Sequence, residues 1–348
     1  MKKSYSSPEY KKYNQIKIAN KRKRAKKFSA SISRKSDRNI HKKYKPDSNR
    51  ELKAKRKKGK YEIAVPNNFS VINNPNQMLE FFEDINYHAK KRRNIFLEMS
   101  EIQDMTSDAI LYMLSMFDYH KSVHRFSSIS GSYPKNISCR NLLVESGFLD
   151  YVEPKYRINR ISPDILSVKS NSNVQGDIAS KVISFALNKL NQNKDSKSRG
   201  IYATLIECMA NTIHHAYGEN NPYTKWWLMA LYSDNKVNFT FYDSGMGIPK
   251  TLKKNFTEKF FSSMFNQKND YELIISALNG EFRTRTRDKW RGRGLPKINS
   301  FYKQGYINKL TLVSNYGYVN YGEDSFYNMD EKFRGTLFSW DFVKQSTI

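Results

Sequence analysis

The segment from Glu207 to Gly247 decides the fold, and it reads ECMANTIHHAYGENNPYTKWWLMALYSDNKVNFTFYDSGMG. Its beginning belongs to a helix predicted over residues 201–217, because apolar side chains recur there at helical spacing. Glu207, Asn211 and His214 lie outside the apolar arc, and His215 lies at its edge. The solvent face of an ordinary amphipathic helix gives the same pattern, so periodicity alone leaves a surface helix and a functional face both open. The arc itself comprises Ile201, Leu205, Cys208, Met209, Thr212 and Ala216.

A strand predicted over residues 237–242 runs directly into Asp243. Apolar and polar side chains alternate along it, as in a half-buried strand. A carboxylate at the end of a strand can accept a directed hydrogen bond from a ligand amine. Gly245 and Gly247 follow at once, and they allow the backbone to turn tightly and approach that ligand closely.

A second glycine pair, Gly292 and Gly294, comes immediately before Leu295 and a predicted helix. Free backbone amides and the helix dipole favour a phosphate at such a position. The residues before it are rich in arginine, and Arg293 lies between the two glycines. Guanidinium groups bind phosphate oxygens bidentately, so this stretch is a candidate phosphate contact. A solvated basic loop, or a patch that extends a nucleic-acid surface, is the alternative interpretation.

Taken together, these residues resemble the four ordered boxes of the GHKL ATPase superfamily, which includes gyrase, heat-shock chaperone, histidine-kinase and MutL-type ATPases. One Gly-x-Gly alone is weak evidence, but four boxes in order over about 130 residues form a specific signal. The boxes are Glu207-x-x-x-Asn211-x-x-x-His215-Ala216, Asp243-x-Gly245-x-Gly247, Gly292-x-Gly294-Leu295 and Gly335-Thr336, the last of which is expected to open the final strand.

The resemblance implies a two-layer Bergerat-type α/β sandwich that binds ATP and Mg²⁺. In it, Glu207 is the general base and Asn211 helps to hold Mg²⁺. Asp243 hydrogen-bonds the adenine amine, and Thr336 lies near the base. Gly245 and Gly247 shape the adenine pocket, and Gly292 and Gly294 form the hinge of a lid over the phosphates. Further residues of the implied ATP site are His215, Arg293 and Leu295.

The 348 residues carry a formal net charge of +27, and 39% of them are hydrophobic. This length and composition predict about two domains with real cores. The first 60 residues contain 24 Lys or Arg against 4 Asp or Glu, so +20 of the charge lies there. We predict a disordered basic tail over residues 1–60, because it has few apolar side chains to bury. A solubilising arm and a sequence-independent contact with nucleic acid both remain open for it.

No apolar run approaches the roughly 18 residues that span a bilayer, so we expect a cytoplasmic protein without a membrane segment. Cys139 and Cys208 are far apart in the sequence and indicate neither a disulfide framework nor a zinc site. We expect both to be buried thiols in a reducing compartment. His88, His120 and His124 lack the dimerisation hairpin of a two-component kinase, so we do not expect a histidine phospho-acceptor.

Strands and helices alternate between residues 61 and 155, which predicts a small α/β domain. The strands are predicted at 61–65, 94–99 and 127–131, and the helices at 76–91, 107–117 and 139–146. With NLLVESGFLDYV at 141–152, this pattern resembles the STAS fold of anti-sigma-factor antagonists. The resemblance implies a protein partner for this domain.

In those antagonists a partner GHKL kinase phosphorylates a Ser or Thr at the start of the second helix, which points to Thr106 or Ser107. Met105 and Asp108 interrupt the small-residue Asp-Ser-Ser-Gly pattern of the family at this point. Capping of the helix by Thr106 or Ser107 is the alternative role.

Residues 153–176 contain two prolines and several Ser and Asn residues, which predicts a linker over residues 156–176 and the ATP-binding domain over 177–348. Residues 249–290 are the expected lid over the phosphates. Only five residues follow Val343, so we expect none of the transducer domain that gyrase-like and MutL-like ATPases use. Helices are predicted at 177–191, 271–278 and 295–303, and strands at 307–313, 316–321 and 337–343.

Three functions remain open at this stage. The first is an Mg·ATP-driven regulatory switch that hydrolyses ATP, changes its oligomeric state (for example, a homodimer) and acts on a protein or nucleic-acid partner. The second is an anti-sigma-type protein Ser/Thr kinase with an antagonist-like domain fused in front. The third is a nucleotide-binding scaffold without catalysis, which the presence of both Glu207 and Asn211 disfavours. The first two share Glu207 and differ in whether it activates water or a hydroxyl.

Overall fold

The computed structural model describes residues 55–57, 59–124, 128–152, 162–214, 225–255, 268–282 and 294–344. Helices and strands alternate through this part of the chain, which confirms the predicted mixed α/β class. Residues 1–54 of the predicted basic tail lie outside the described residues.

The N-terminal half contains a small sheet and the helices that follow its strands. The sheet has the order β1-β2-β4-β6, and β2, β4 and β6 are parallel to one another. The strands and helices predicted between residues 61 and 146 are all present. The elements are β1 (Lys55–Lys57), β2 (Lys60–Ala64), β3 (Asn68–Phe69), α1 (Pro75–Lys90), β4 (Ile95–Glu98), β5 (Asp104–Met105), α2 (Ser107–His124), β6 (Ile129–Gly131), α3 (Ile137–Glu145) and α4 (Phe148–Val152).

The C-terminal half contains a five-stranded sheet with the order β10-β11-β9-β8-β7. All four pairings in it are antiparallel. The predicted helices at 177–191, 271–278 and 295–303 are present to within one residue at their ends. The elements are β7 (Ile165–Asn171), α5 (Gly176–Leu190), α6 (Ser196–His214), β8 (Trp226–Ser233), β9 (Lys236–Asp243), α7 (Ile248–Asn255), α8 (Asp270–Leu278), α9 (Gly294–Lys303), β10 (Asn308–Asn320) and β11 (Ser325–Val343).

Side-chain alternation along β8 and β9 separates two hydrophobic cores, one on each face of the large sheet. Phe239 and Phe241 belong to the core beneath α5, α6 and α9. Tyr242 belongs to the other core, which it shares with α1 and α2. Successive side chains of a strand point to opposite faces. The odd-numbered residues of β9 therefore face α6, and the even-numbered residues face α2.

Helix α2 joins the N-terminal half to the back of the large sheet. The Tyr112 ring packs edge-on against Tyr242 and stacks on Phe333 with centroids 4.7 Å apart. The Ser107 and Thr240 hydroxyls hydrogen-bond across the same interface at 2.6 Å. The two halves therefore share one continuous apolar core on this face.

Two segments expected to be unstructured form strands instead. Residues 55–57 of the predicted tail form β1, which pairs antiparallel with β2 through a turn at Gly59. The predicted linker contains β7, which pairs with β8 at the edge of the large sheet. Val168 is buried there, so burial and the hydrogen bonds of an open sheet edge outweighed the polar composition that suggested a linker.

Three other boundaries also differ from expectation. Helix α6 begins at Ser196, five residues before its predicted start at 201, because Asp195 caps it. The Asp195 carboxylate accepts the Ser198 amide, and the Asp195 carbonyl accepts the Ser198 hydroxyl. The strands predicted at 307–313 and 316–321 form one strand, β10, with a bulge around Asn315. Strand β11 begins at Ser325, so Gly335-Thr336 lies within the last strand and does not open it.

Asp108 in the first turn of α2 fastens the loop after β3. Its carboxylate is buried and accepts the Val71 amide at 2.6 Å and the Ile72 amide at 3.3 Å. Burial raises the pKa of Asp108, while these hydrogen bonds act in the opposite direction.

We expect Asp108→Ala to destabilise the fold by about 2–3 kcal/mol, because it leaves the buried Val71 amide and the partly buried Ile72 amide without this acceptor. The free energy of unfolding in urea measures this. Asp104→Ala, at an exposed carboxylate of β5, is the matched control and should change stability by less than about 0.5 kcal/mol. Equal stability of Asp108→Ala and Asp104→Ala would contradict the assigned role.

Both cysteines are buried thiols, as predicted. None of the described helices combines the length and the hydrophobicity that crossing a bilayer requires.

Candidate active site

Helix α6 divides into an apolar face and a polar face as its periodicity predicts. Ile201, Leu205 and Met209 are fully buried beneath the sheet. Glu207 and Asn211 lie one turn apart and are only half-buried. The Glu207 side chain retains 17% of its exposure, so its carboxylate borders solvent without being fully open to it.

The first residue of α9, Gly294, lies directly against this polar face. A Cβ placed on Gly294 would come within 3.0 Å of Glu207 Oε2, and also within 3.0 Å of Asn211 Oδ1. Any larger residue would therefore push against both side chains. Gly294 thus meets two side chains that lie more than eighty residues before it in the sequence.

Two further features mark the same place. Asn211 Nδ2 is buried and has no hydrogen-bond partner among the described residues. The Lys297 ammonium, one turn beyond Gly294, lies 3.3 Å from Glu207 Oε1. An unpaired buried amide costs free energy, so this group is a candidate for contact with a ligand. Sequence analysis missed Lys297. Its only signal was its spacing of three residues from Gly294 on one helix, which does not reveal that it meets Glu207.

Asp243 ends β9 on the face that carries α6. It is 4% exposed and accepts the Gly245 amide at 2.8 Å, which fixes the turn. Burial raises the pKa of Asp243 from 3.8 to about 7, against the lowering effect of the Gly245 amide. Burial also raises the pKa of the Cys208 thiol, and the charges of Glu207 and Asp243 raise it further, so both carboxylates lie within electrostatic reach of the middle of α6.

Thr336 is the direct cross-strand neighbour of Asp243. Thr336 also pairs with Ser314 of β10, with the two hydroxyl oxygens 3.3 Å apart. Residues opposite one another in register point to the same face, so the three polar side chains form a row across three strands. The row places Thr336 beside Asp243.

Ser314 and Asn315, at the bulge of β10, hold the loop after Asp243 in place. The Ser314 hydroxyl accepts the Ile248 amide and donates to the Gly335 carbonyl, each at 2.9 Å. The Asn315 side chain accepts the Lys250 amide at 3.0 Å and donates to the Met246 carbonyl at 2.9 Å. Sequence analysis placed Ser314 and Asn315 between two strands and gave them no role. Their only signal was a polar pair interrupting an apolar run.

Gly247 requires both its conformational freedom and its small size. Its φ is +85°, and a Cβ there would lie 2.6–2.7 Å from the Asn315 carboxamide. Gly245 is buried in the same turn, and Leu295 is half-buried against the core beneath α6. His215, Gly292 and Arg293 lie outside the described residues, as do the neighbouring arginines between residues 283 and 291.

Thr106 and Ser107 use their hydroxyls in packing. Ser107 is 5% exposed and bonds to Thr240, and the Thr106 hydroxyl donates to the Phe69 carbonyl at 3.4 Å. These contacts tie α2 to its neighbours and differ from the predicted capping of the helix by these hydroxyls. His88 and His120 are fully buried, and the His124 side chain lies outside the described part.

Asp243→Asn is expected to stabilise the ligand-free protein by about 2 kcal/mol at pH 8.5. Between pH 4 and pH 7 the folded chain holds a proton on Asp243 that the unfolded chain has released, because burial raises the pKa of Asp243 to about 7. Stability from this group is therefore greatest below pH 4 and is lost as the pH rises through 7. The carboxamide of the variant never ionises, so its advantage over the wild-type chain should shrink at pH 5.

Urea unfolding at pH 5 and pH 8.5 measures this difference. Asp341→Asn is the matched control, because Asp341 is equally buried but lies 3.3 Å from the Lys236 ammonium. We expect that variant to lose stability at pH 8.5. A loss of stability for Asp243→Asn at pH 8.5 would show that the carboxylate is stabilised in the fold by a partner.

Comparison with protein-family models and with curated protein sequences finds no match to this chain.

Proposed function

We propose that the chain binds Mg·ATP and hydrolyses it, and that it acts as a nucleotide-dependent regulatory switch on a protein or nucleic-acid partner. The observation that carries this proposal is the contact of Gly294 with both Glu207 and Asn211. It joins a proton acceptor, an amide and the N-terminus of a ten-residue helix at one point. That combination suits the phosphate end of a nucleotide.

The Asp243 loop suits the adenine end. The Asp243 carboxylate can accept a hydrogen bond from the adenine amine. The turn at 245–247 places glycine backbone without side chains beside it, so the base can approach closely. The row from Asp243 through Thr336 to Ser314 supplies further polar groups for the edge of the base. Both ends lie on the face of the sheet that carries α6, as a single ligand requires.

The residues also fit a magnesium ion held jointly with phosphates. In the described ranges no three His, Cys, Asp or Glu side chains form a cluster that could hold a metal alone. Mg²⁺ usually takes one or two protein oxygens and completes its shell with substrate phosphates and water. Asn211 Oδ1 would be the protein ligand, and the ion would neutralise phosphate charge. The buried Asn211 Nδ2, which has no hydrogen-bond partner in the described structure, would donate to a phosphate oxygen of the nucleotide.

In the proposed reaction Glu207 accepts a proton from water as the water oxygen attacks the terminal phosphorus. The bond from that phosphorus to its bridging oxygen breaks, and ADP and inorganic phosphate are the products. The first turn of α9 orients the phosphates through backbone amides, and Gly294 keeps this approach open. The role of Asp243 is binding, since it lies at the other end of the site.

Hydrolysis is favoured over transfer of phosphate to the N-terminal half of the same chain. Ser107 bonds to Thr240, whose side chain faces α2. Asp243 faces α6 on the opposite side of the sheet. The Ser107 hydroxyl is buried behind the sheet and out of reach of Glu207, so a protein acceptor would be a hydroxyl other than that of Ser107.

The basic residues between 1 and 60 are the proposed contact for a nucleic-acid partner. Their excess of positive charge would bind phosphates through release of counterions, without sequence preference. The N-terminal half, docked on the back of the sheet, would carry the effect of bound nucleotide toward a protein partner.

Incubation of the purified chain with Mg²⁺ and γ-labelled ATP tests the proposal. We expect free labelled phosphate, and we expect Asp243→Asn to weaken ATP binding. Label retained on protein would favour the kinase alternative. Binding without release or transfer would favour a scaffold, and no binding of ATP would reject the nucleotide site altogether.

A further inference from the structure

Lys297 holds the carboxylate that the proposed reaction needs. Its ammonium lies 3.3 Å from Glu207 Oε1. The other carboxylate oxygen, Oε2, faces Gly294. Both oxygens of Glu207 therefore face the first turn of α9, and one of them is occupied by a cation.

This ion pair is exchangeable. The Lys297 side chain retains 44% of its exposure. A lysine side chain has a flexible four-carbon stem, so its ammonium can move between partners. A partly exposed pair shifts an equilibrium by about fivefold at most, whereas a charge-assisted bond to a phosphate is worth about tenfold or more. A polyphosphate arriving at α9 can therefore outcompete Glu207 for the ammonium.

We propose that Lys297 is a nucleotide-binding residue that leaves Glu207 and contacts the terminal phosphates when ATP binds. The inference rests on the proposed function, since it assigns a ligand to the same site. The exchange would free Glu207 Oε1 to accept a proton only when phosphate is present. Lys297 would thus link occupancy of the site to availability of the base.

The surroundings favour phosphate as the new partner. The N-terminus of α9, three residues before Lys297, presents amides and the positive end of the helix dipole. The buried Asn211 Nδ2 adds a donor that lacks a partner in the described chain. An anion placed among these groups would lie within reach of the ammonium.

Binding of three ligands to Lys297→Met tests the inference, using the non-hydrolysable β,γ-imido analogue of ATP, ADP and adenosine with Mg²⁺ in a calorimeter. We expect affinity for the ATP analogue to fall about tenfold, affinity for ADP to fall less, and affinity for adenosine to stay unchanged. Lys297→Arg should restore most of the loss. Lys303→Met, at an exposed lysine near the end of the same helix, is the matched control and should bind all three normally.

The outcomes separate this inference from the proposed function. If the wild-type chain binds none of the three ligands, the nucleotide site itself is wrong. If the wild type binds the three ligands and Lys297→Met binds each of them as tightly as the wild type does, Lys297 has no contact with phosphate. An equal loss for adenosine and the ATP analogue would mean that Lys297 only shapes the site.

Discussion

Gly335→Ala is expected to destabilise the fold by about 4 kcal/mol or more, the largest effect of any single methyl group in the described chain. Gly335 has φ +97°, and a Cβ there would lie 1.9 Å from the Asp243 carbonyl oxygen and 2.9 Å from the Ser244 Cα. Those atoms belong to the backbone of the last residue of β9 and of the residue that follows it, so no side chain can move aside. The strand would have to separate from β9 at Asp243.

Gly305→Ala is the matched control, because it tests the cost of a positive φ without the steric overlap that a methyl group at Gly335 would cause. Gly305 also has a positive φ, +68°, but a Cβ there meets nothing within 4 Å. We expect that control to cost about 1 kcal/mol. Urea unfolding measures both variants, and ATP binding should be lost for Gly335→Ala even where the chain still folds. Similar stabilities for the two variants would mean that the overlap at Asp243 is relieved at little cost.

Glu207→Gln is expected to lower the rate of ATP hydrolysis about a thousandfold. Gln keeps the shape of Glu and can still accept a hydrogen bond from Lys297, so α9 should stay in place. It cannot take a proton from water, and for this reason the chemical step should fail while binding survives. The fold should be unaffected, because the side chain borders solvent.

Turnover at saturating Mg·ATP, together with affinity for the non-hydrolysable analogue, measures this effect. We expect affinity to change by no more than a few fold. Glu323→Gln, at an exposed carboxylate in the turn between β10 and β11, is the control and should hydrolyse ATP normally. Normal turnover by Glu207→Gln would reject Glu207 as the base, and would point to a proton acceptor elsewhere in the site.

Much of the fold was predictable, because the spacing of apolar side chains along the chain indicates most of its helices and strands. Helix α6 buries the described part of the apolar arc expected of it, and β9 runs into Asp243 as predicted. The prediction that β9 is half-buried was wrong, because helices cover both faces of the sheet and every residue from Phe239 to Asp243 is buried. The predictions failed where tertiary contacts overrode composition. β7 has the polar sequence of a linker, and only the open edge of β8 makes it a strand. The bulge at Asn315 was predicted as a break between two strands, because its side chain bonds to Met246 and Lys250, more than sixty residues away in the sequence.

The candidate site divides in the same way. Glu207, Asn211 and Asp243 could be selected from the sequence, because each is a polar side chain at a specific point of a periodic element. Lys297 and Ser314 could not, because their importance depends on which side chains they meet. Lys297 becomes relevant only when α9 packs on α6, and Ser314 only when β10 pairs with β11.

By itself the sequence determined most of the elements, the polar face of α6 and the order of the four boxes, since spacing along a chain fixes which side chains share a face. Tertiary structure alone decided that Gly294 closes against Glu207 and Asn211, and that Ser107 lies behind the sheet. The physical reason is that strand register and helix packing choose the partners of each face. Such partners are distant in sequence, and no local period encodes them.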